Sequence, residues 1–427
     1  MAADWEKPRK RERRPHIIPP APGWRVDALD RPEGWPVLDD IDGALGLTLW
    51  RALRAVWTWV DTPRERRGGL SQEPTREVRE RFAFAAAEAP ELADAFGTFA
   101  LLARAADMLD GPQVADACQI VYNWAEARGL TETAVHFAES AARADDEDAS
   151  RANLAGRTCR RAALNDRSSA WFARAFRLAV RAGWRQEALR ALLGYGALLK
   201  NLGEYPEARK TLAKAARRAL RHGRRRQAAE AHHDLLTIEA EAGTLPAAVA
   251  HAFRALNLNP LKHPYLRALA HDLGYLLVRL GHYGTAVPLL EMATPRAARP
   301  AVAALQWSTL AWAAAGAGRR FRYDEAERRA LHLVSLHDEF AAAVMLHLSE
   351  GARRLSDWGR AERYAIHAAE AARTRDDVVL AQEAADLLEA VEGRTSTAPD
   401  TVPVGIDRIE TFTNRLAARL RSWKAPG

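Results

Sequence analysis

From Leu269 to Ala293 the chain reads LAHDLGYLLVRLGHYGTAVPLLEMA, and its apolar positions fall at helical intervals. Ala270, Leu273, Leu277 and Leu280 make one stripe, Gly281 interrupts it, and Ala286, Leu290 and Ala293 begin a second. Tyr283 covers the bend, and the small residues of the second stripe let two helix backbones approach closely. The spacing predicts a helical hairpin. One hairpin cannot bury its apolar face alone, so the pattern requires copies of itself.

The chain contains them. Cys118, Val121, Ala125, Gly129, Ala134 and Ala138 repeat the order of stripe, glycine and stripe. A weaker copy from 150 to 183 has Ala152, Ala155 and Cys159 before its bend and Ala170 after it. The pattern returns plainly with Leu192, Tyr195, Leu199, Gly203, Tyr205, Ala208 and Leu212, then with His232, Leu235, Leu236, Gly243, Ala248 and Ala252. After the opening stretch it continues through Trp307, Leu310, Ala314, Gly318, Tyr323 and Ala326, and ends with Leu348, Ala352, Trp358, Ala361 and Ala365. The bend glycines Gly203, Gly243 and Gly281 recur roughly every 40 residues. The expectation is a solenoid over 115–392, with about seven hairpins and a final helix at 377–391 that covers the last exposed face.

The flanks read differently. Residues 1–40 combine a basic cluster (Lys7, Arg9, Lys10, Arg11, Arg13, Arg14) with closely spaced prolines and predict an extended tail. Residues 41–112 predict end helices. The first places Leu45, Leu49, Ala52, Val56 and Val60 on one face beside Trp50 and Trp57. A linker is expected from Pro63 to Pro74, then two Ala-rich helices broken near Pro90, as a cap or degenerate hairpin. Residues 393–405 have linker composition, and 406–427 predict a basic helix with Ile409, Phe412, Leu416 and Leu420 on its stripe.

Composition narrows the class. The chain is rich in Ala, Leu, Arg and Glu and has no sustained two-residue alternation, which indicates an all-α fold. Its 62 basic against 55 acidic residues give a net charge of +7, an excess that permits a nucleic-acid partner without requiring one. Cys118 and Cys159 fall on apolar stripes with no metal-ligand spacing and are expected as buried free thiols. No apolar run is long enough to span a bilayer, and the expected location is the cytoplasm.

The segments NLGEYPEA (201–208) and RLGHYGTA (279–286), with ALNLNP (255–260) closing a unit at Asn259 and Pro260, resemble tetratricopeptide repeats. The resemblance covers about 60% of the chain. Units of roughly 40 residues resemble the longer-helix variant found in bacterial regulators and peptide-pheromone receptors. The resemblance implies a right-handed α-α superhelix with extra terminal helices, and a groove lined by the first helix of each hairpin. It assigns His233, Thr237 and Glu241 to one groove strip, His271, Tyr275 and Arg279 to the next, and Ser308 and Trp312 to a third, with Lys200, Asn201, Glu350, Arg353 and Arg354 flanking them. An aromatic floor of Tyr275 and Trp312 with His and Arg nearby suits a peptide of some acidic character.

Catalytic signatures are missing: there is no GxxxxGK[ST], GxGxxG after a strand, GxSxG or HExxH. The expectation is a non-enzymatic protein without cofactor or catalytic residues. His232 and His233 point about 100° apart on a helix, so they cannot share one ion. His232 is expected in the core, and no metal site is assigned. The leading reading is an adaptor or sensor in bacterial signalling that binds a protein or peptide. The alternative is a transcriptional or nucleic-acid-associated regulator that contacts phosphates through the basic tail, the turn from Arg217 to Arg226, or the C-terminal helix. Membrane association through the 44–60 helix ranks third, and the end helices could also pair two copies.

Overall fold

The structure is a computed structural model; it describes residues 36–70, 75–258, 265–294, 299–336 and 338–395, together with parts of 411–418. The basic cluster at 7–14, Asn259 and Pro260, and most of the C-terminal linker and helix lie outside the described residues. All regular structure among the described residues is helical.

Seven hairpins follow one another: α5 (Gly111–Arg128) with α6 (Thr131–Ala144), α7 (Ala149–Arg161) with α8 (Asn165–Arg181), α9 (Arg185–Asn201) with α10 (Tyr205–Arg221), α11 (Arg225–Glu241) with α12 (Leu245–Leu258), α13 (Tyr265–Arg279) with α14 (Tyr283–Ala293), α15 (Pro300–Gly316) with α16 (Arg320–Val334), and α17 (Ala341–Arg354) with α18 (Trp358–Thr374). A further helix, α19 (Val378–Glu392), packs on α17 and α18. The first helices α7, α9, α11, α13, α15 and α17 contact each other in series and form the inner layer of a solenoid of helical hairpins.

Left-handed residues set the repeat. Positive φ occurs at Ala163, Gly183, Gly203, Gly223 and Gly243, which are evenly spaced along the chain. Helices α8 to α11 are each 17 residues long, so a three-residue turn completes every half-unit, both within and between hairpins. At Gly203 the turn closes with Gly203 N donating to Lys200 O at 3.0 Å and Glu204 N to Leu199 O at 2.9 Å. Ala163 adopts the same conformation at φ 59° with a Cβ, and it is this missing glycine that makes the 150–183 copy faint in sequence.

Packing within three of the hairpins follows a size rule. Seven residues before the bend the first helix carries Gly156, Gly196 or Gly274, and sixteen residues later the second helix carries Phe172, Leu212 or Leu290. A Cβ on those glycines would meet the facing ring or leucine at 2.9, 2.6 and 2.5 Å. In the α11–α12 hairpin the sizes are exchanged, Leu236 standing in the first helix and Ala252 in the second, both buried. Mid-helix glycine costs about 1 kcal/mol against alanine. Here the close approach of the helices offsets that cost.

Outer helices are tied by arginine–glutamate pairs: Arg167 Nε to Glu139 Oε1 at 3.0 Å, Arg322 Nε to Glu291 Oε1 at 2.9 Å, and Arg360 Nη1 to Glu327 Oε2 at 3.0 Å. Glu139 also accepts from Trp171 Nε1 at 2.8 Å and Cys159 Sγ at 3.3 Å. Cys118 and Cys159 are buried and free, and burial pushes both thiols upward.

The N-terminal region departs from expectation in two places. Pro36–Asp40, inside the span expected as tail, is a helix (α1): Val37 is buried, and Asp40 Oδ2 accepts from Thr133 N at 2.7 Å at the start of α6. Arg64–Leu70, expected as linker, is a 3-10 helix, because Arg67 stacks on Trp59 at 3.5 Å from its ring centroid and donates to Thr62 O at 3.1 Å. Between them α2 (Gly43–Asp61) buries Trp50, Trp57 and Trp59 against α3 (Thr75–Glu88), α4 (Ala93–Arg104) and α6. With that stripe occupied by protein, the apolar face proposed for a membrane surface is already covered. No helix among the described residues is long and apolar enough to cross a membrane.

Candidate functional site

The superhelix curls until its closing segment meets its second hairpin. Arg375, in the α18–α19 turn, donates to the carbonyl oxygen of Arg161 at the α7–α8 bend, although the two stand far apart in the chain. On the same side a Cβ at Gly203 would come within 3.0 Å of Val379 Cγ2, and Arg279 Nη1 lies 3.5 Å from Glu383 Oε1 on α19. The inner face is therefore enclosed. It holds a chamber of about 330 Å³ walled by α9, α11, α13, α17 and the α18–α19 segment.

Six of the residues that the sequence assigned to the groove line this chamber: Lys200, Asn201, Thr237, Glu241, His271 and Tyr275. His233 lines an adjoining recess. Arg279 is held by Glu383 behind the chamber. Ser308 is fully buried, and its hydroxyl faces His347 Nδ1 at 3.1 Å. Trp312 is buried against Tyr275 and His347, with ring centroids 6.2 and 5.5 Å away, so it backs the chamber wall and does not face the space. Arg353 pairs with Glu350 at 2.8 Å and donates to Thr395 O at 2.8 Å, while Arg354 lies over the Tyr283 ring. Glu350, Arg353 and Arg354 thus anchor the end of the array and do not line the chamber.

The sequence missed other lining residues. Arg160, Arg161 and Asn165 come from the second hairpin's bend, Arg375 and Glu383 from the closing segment, and Phe340, Leu346 and His347 from the start of α17. No local pattern joins positions so distant in the chain. One signal was available: His347 stands 38 residues after Thr309, which itself stands 38 after His271, so the three positions recur at the repeat's own spacing.

That spacing builds a polar ladder along the inner helices. His233 Nε2 bonds Asp272 Oδ2, and His271 Nδ1 bonds Asp272 Oδ1 at 2.8 Å. His271 Nε2 is 3.0 Å from Thr309 Oγ1, which is 3.2 Å from His347 Nδ1. The Ser308 and Thr309 hydroxyls both donate to Leu305 O, so His347 Nδ1 serves as the donor toward them and leaves Nε2 as an acceptor. Burial lowers the His347 pKa to about 3, which keeps the ring neutral. Burial opposes protonation of His233 too, but Asp272 outweighs it and the net shift is upward. Burial alone would raise Asp272, yet His233 and His271 hold it well below the usual carboxylate range. On the opposite side of α11, His232 is buried with Nδ1 at 3.0 Å from His251 Nδ1, and burial lowers its pKa to about 4. Both histidines of the 232–233 pair thus have protein partners on different faces. Among the described residues no group of three or more His, Cys, Asp or Glu is placed to hold a metal ion.

Carboxylates crowd the far wall. Glu383 is raised by burial, with Arg279 opposing and Glu241 adding to the rise, and Asp377 is raised by burial as well. Tyr205 donates to Glu241 at 3.3 Å. A ligand reaching this wall meets acidic groups beside Lys200, and apolar surface from Leu305, Phe340 and Leu346.

No family model and no curated protein matches the chain. Solved structures do. The chain is similar to the Rap conjugation gene regulator of the plasmid pLS20 in complex with the Phr* peptide, at 14% identity and a TM-score of 0.40, over 83% of this chain and 98% of that one. It is also similar to the TPR domain of P58(IPK), at 12% identity and a TM-score of 0.21, covering 76% and 99% of the two chains. A circular tandem repeat protein with novel repeat topology gives 14% identity and a TM-score of 0.20, covering 88% and 85%.

Proposed function

We propose that this protein binds a short linear peptide, or an extended segment of a partner protein, in the chamber enclosed by its inner helices, and acts thereby as an adaptor or sensor in bacterial signalling. The observation that carries the reading is the chamber itself. Its volume of about 330 Å³ is at the lower end of ligand-site volumes. Its lining mixes apolar Leu305, Phe340, Leu346 and Leu380 with convergent polar groups on Lys200, Asn201, Thr237 and Glu241. Side chains of that kind fix an extended backbone through hydrogen bonds and select side chains by burial.

The enclosure favours a small ligand over a large one. Ligand that settles between α11 and α19 touches both the array and its closing segment, and so couples occupancy to the curl of the superhelix. A partner elsewhere could then read the change.

Filling the space tests the reading. Thr237 is half-buried and lines the chamber, so Thr237→Trp occupies the volume from within. Immobilised full-length protein is exposed to the low-molecular-weight fraction of a bacterial lysate, and retained peptides are identified by mass spectrometry. The wild type is expected to retain peptides and Thr237→Trp to lose them, with an unchanged circular dichroism spectrum. Equal retention by the folded variant removes the chamber as the binding site.

A further inference from the structure

Next to the chamber, and sharing Arg160 with it, the inner face of α7, α9 and α11 opens into a recess of about 880 Å³. Its lining is unevenly charged, with seven arginines against three carboxylates. Three of the arginines are already neutralised: Arg151 by Asp116 and Asp145, Arg190 by Glu187, and Arg226 by Glu230. Those pairs also use two of the three carboxylates.

Arg157, Arg160, Arg224 and Arg225 remain, and none of them forms an ion pair among the described residues. Arg225 donates to a backbone oxygen, that of Asn257, at 3.1 Å. Arg157 is exposed on the face of α7 that lines the recess. Arg160 follows three residues later on that helix; it is half-buried, and its buried Nε has no hydrogen-bond partner. Compensation comes through space from the remaining carboxylate, Asp234, and from Glu339 outside the recess. A half-buried guanidinium with an unfilled donor is costly to keep, and an anion held beside it offsets that cost through charge.

We infer that the α7–α9–α11 recess is an anion site that takes the carboxylates of an acidic peptide segment, with Arg157 and Arg160 as its central contacts. The inference stands apart from peptide capture in the inner chamber, since it rests on different residues. Two features favour peptide carboxylates over a nucleic-acid backbone. The recess is a concavity of about 880 Å³ on the inner face, a size suited to a short flexible segment. It carries Glu187, Glu230 and Asp234 among its arginines, and a peptide can meet these acceptors with its own backbone N–H groups, which a run of phosphates lacks. Asn153 crosses it, donating to Glu187 at 3.0 Å, and belongs to the same polar floor.

The test uses the full chain and a fluorescein-labelled glutamate-rich peptide, followed by polarisation at two salt concentrations. The wild type is expected to bind, more weakly at high salt. Arg157→Ala and Arg160→Gln are each expected to weaken binding roughly tenfold or more, as loss of a charge-assisted contact does. Arg157→Lys is expected to retain most of it, and Arg217→Ala, an exposed arginine outside the recess, all of it. Tyr275→Ala in the neighbouring chamber is expected to leave it unchanged. Failure of the wild type to bind overturns the inference, as does equal binding by folded Arg157→Ala and Arg160→Gln. Loss with Tyr275→Ala assigns the acidic peptide to the chamber instead. A single-stranded oligonucleotide that displaces the peptide at lower concentration, with the same dependence on Arg157 and Arg160, overturns the peptide assignment in favour of nucleic acid.

Discussion

Around α2 the interior is aromatic, whereas along α11, α13, α15 and α17 it is threaded by histidine, aspartate, serine and threonine. In the first region Trp50, Trp57, Trp59, Phe96, Phe99 and Phe137 are buried together. Two indoles are satisfied by single hydrogen bonds, Trp57 Nε1 to Ser140 Oγ at 3.0 Å and Trp59 Nε1 to Ala106 O at 2.8 Å. In the second, small and aliphatic side chains make the core, and the polar ladder runs beside it on the face that carries the chamber. The end of the array gains cohesion from bulk, as a terminal unit with one neighbour must. The middle has neighbours on both sides and can hold titratable groups where a ligand would meet them.

The contrast makes the two regions respond differently to substitution and to acid. The largest effect is expected from Trp59→Ala, which removes a fully enclosed indole, its hydrogen bond and the ring under Arg67; a loss of about 3–5 kcal/mol should register in urea unfolding of the N-terminal region. Asp272→Ala should cost about 3 kcal/mol, because His233 and His271 lose their shared acceptor. Asp272→Asn, which keeps one acceptor oxygen, should cost less. A ladder that tolerated both changes equally would not be a source of cohesion.

Acidification should separate the regions. The His347 pKa is lowered in the fold to about 3, so between that value and its ordinary 6.5 the unfolded chain binds the proton and the folded one does not. Stability from this group is therefore full above pH 6.5 and falls as pH drops. At pH 5 the loss amounts to about 2 kcal/mol, read as faster amide exchange in α15 and α17 than in α2, and His347→Gln should flatten that dependence. The smallest effects concern the bends. Ala163→Gly should stabilise by about 0.5–1 kcal/mol through relief of a left-handed alanine. Gly203→Ala should destabilise by about 1 kcal/mol or more, since φ is 74° and the added Cβ would press on Val379. Thermal melts of the two variants should move in opposite directions.

The helical class and its repeat were legible because they depend on local quantities. Stripes at helical spacing and a glycine at 203, 243 and 281 require only neighbours in sequence. Ala163, Ser356 and Asp376 make the same turn without glycine, and at Ala163 this left the 150–183 copy the weakest in the sequence. Within the site, Lys200, Asn201, Thr237, Glu241, His271 and Tyr275 were accessible to register reasoning, because each lies on the inner face of a helix whose phase the stripe defines. Trp312 was not, since an aromatic ring one step off the stripe can either face the space or lie flat against its neighbours. Contacts with Tyr275 and His347 decide for the latter.

What the sequence determined by itself is thus the helix, the turn and the unit, periods set by hydrogen bonding and by the pairing of small with large side chains. What only the tertiary structure decided is the enclosure. Small rotations between successive units add along the array until Arg375 reaches Arg161 and α19 lies across the inner face. No single unit encodes that sum, because each contributes only its own increment. The same accumulation converts an open row of groove positions into a chamber with a far wall, and it brings Arg160, from the second hairpin, to the boundary between that chamber and the arginine-lined recess beside it.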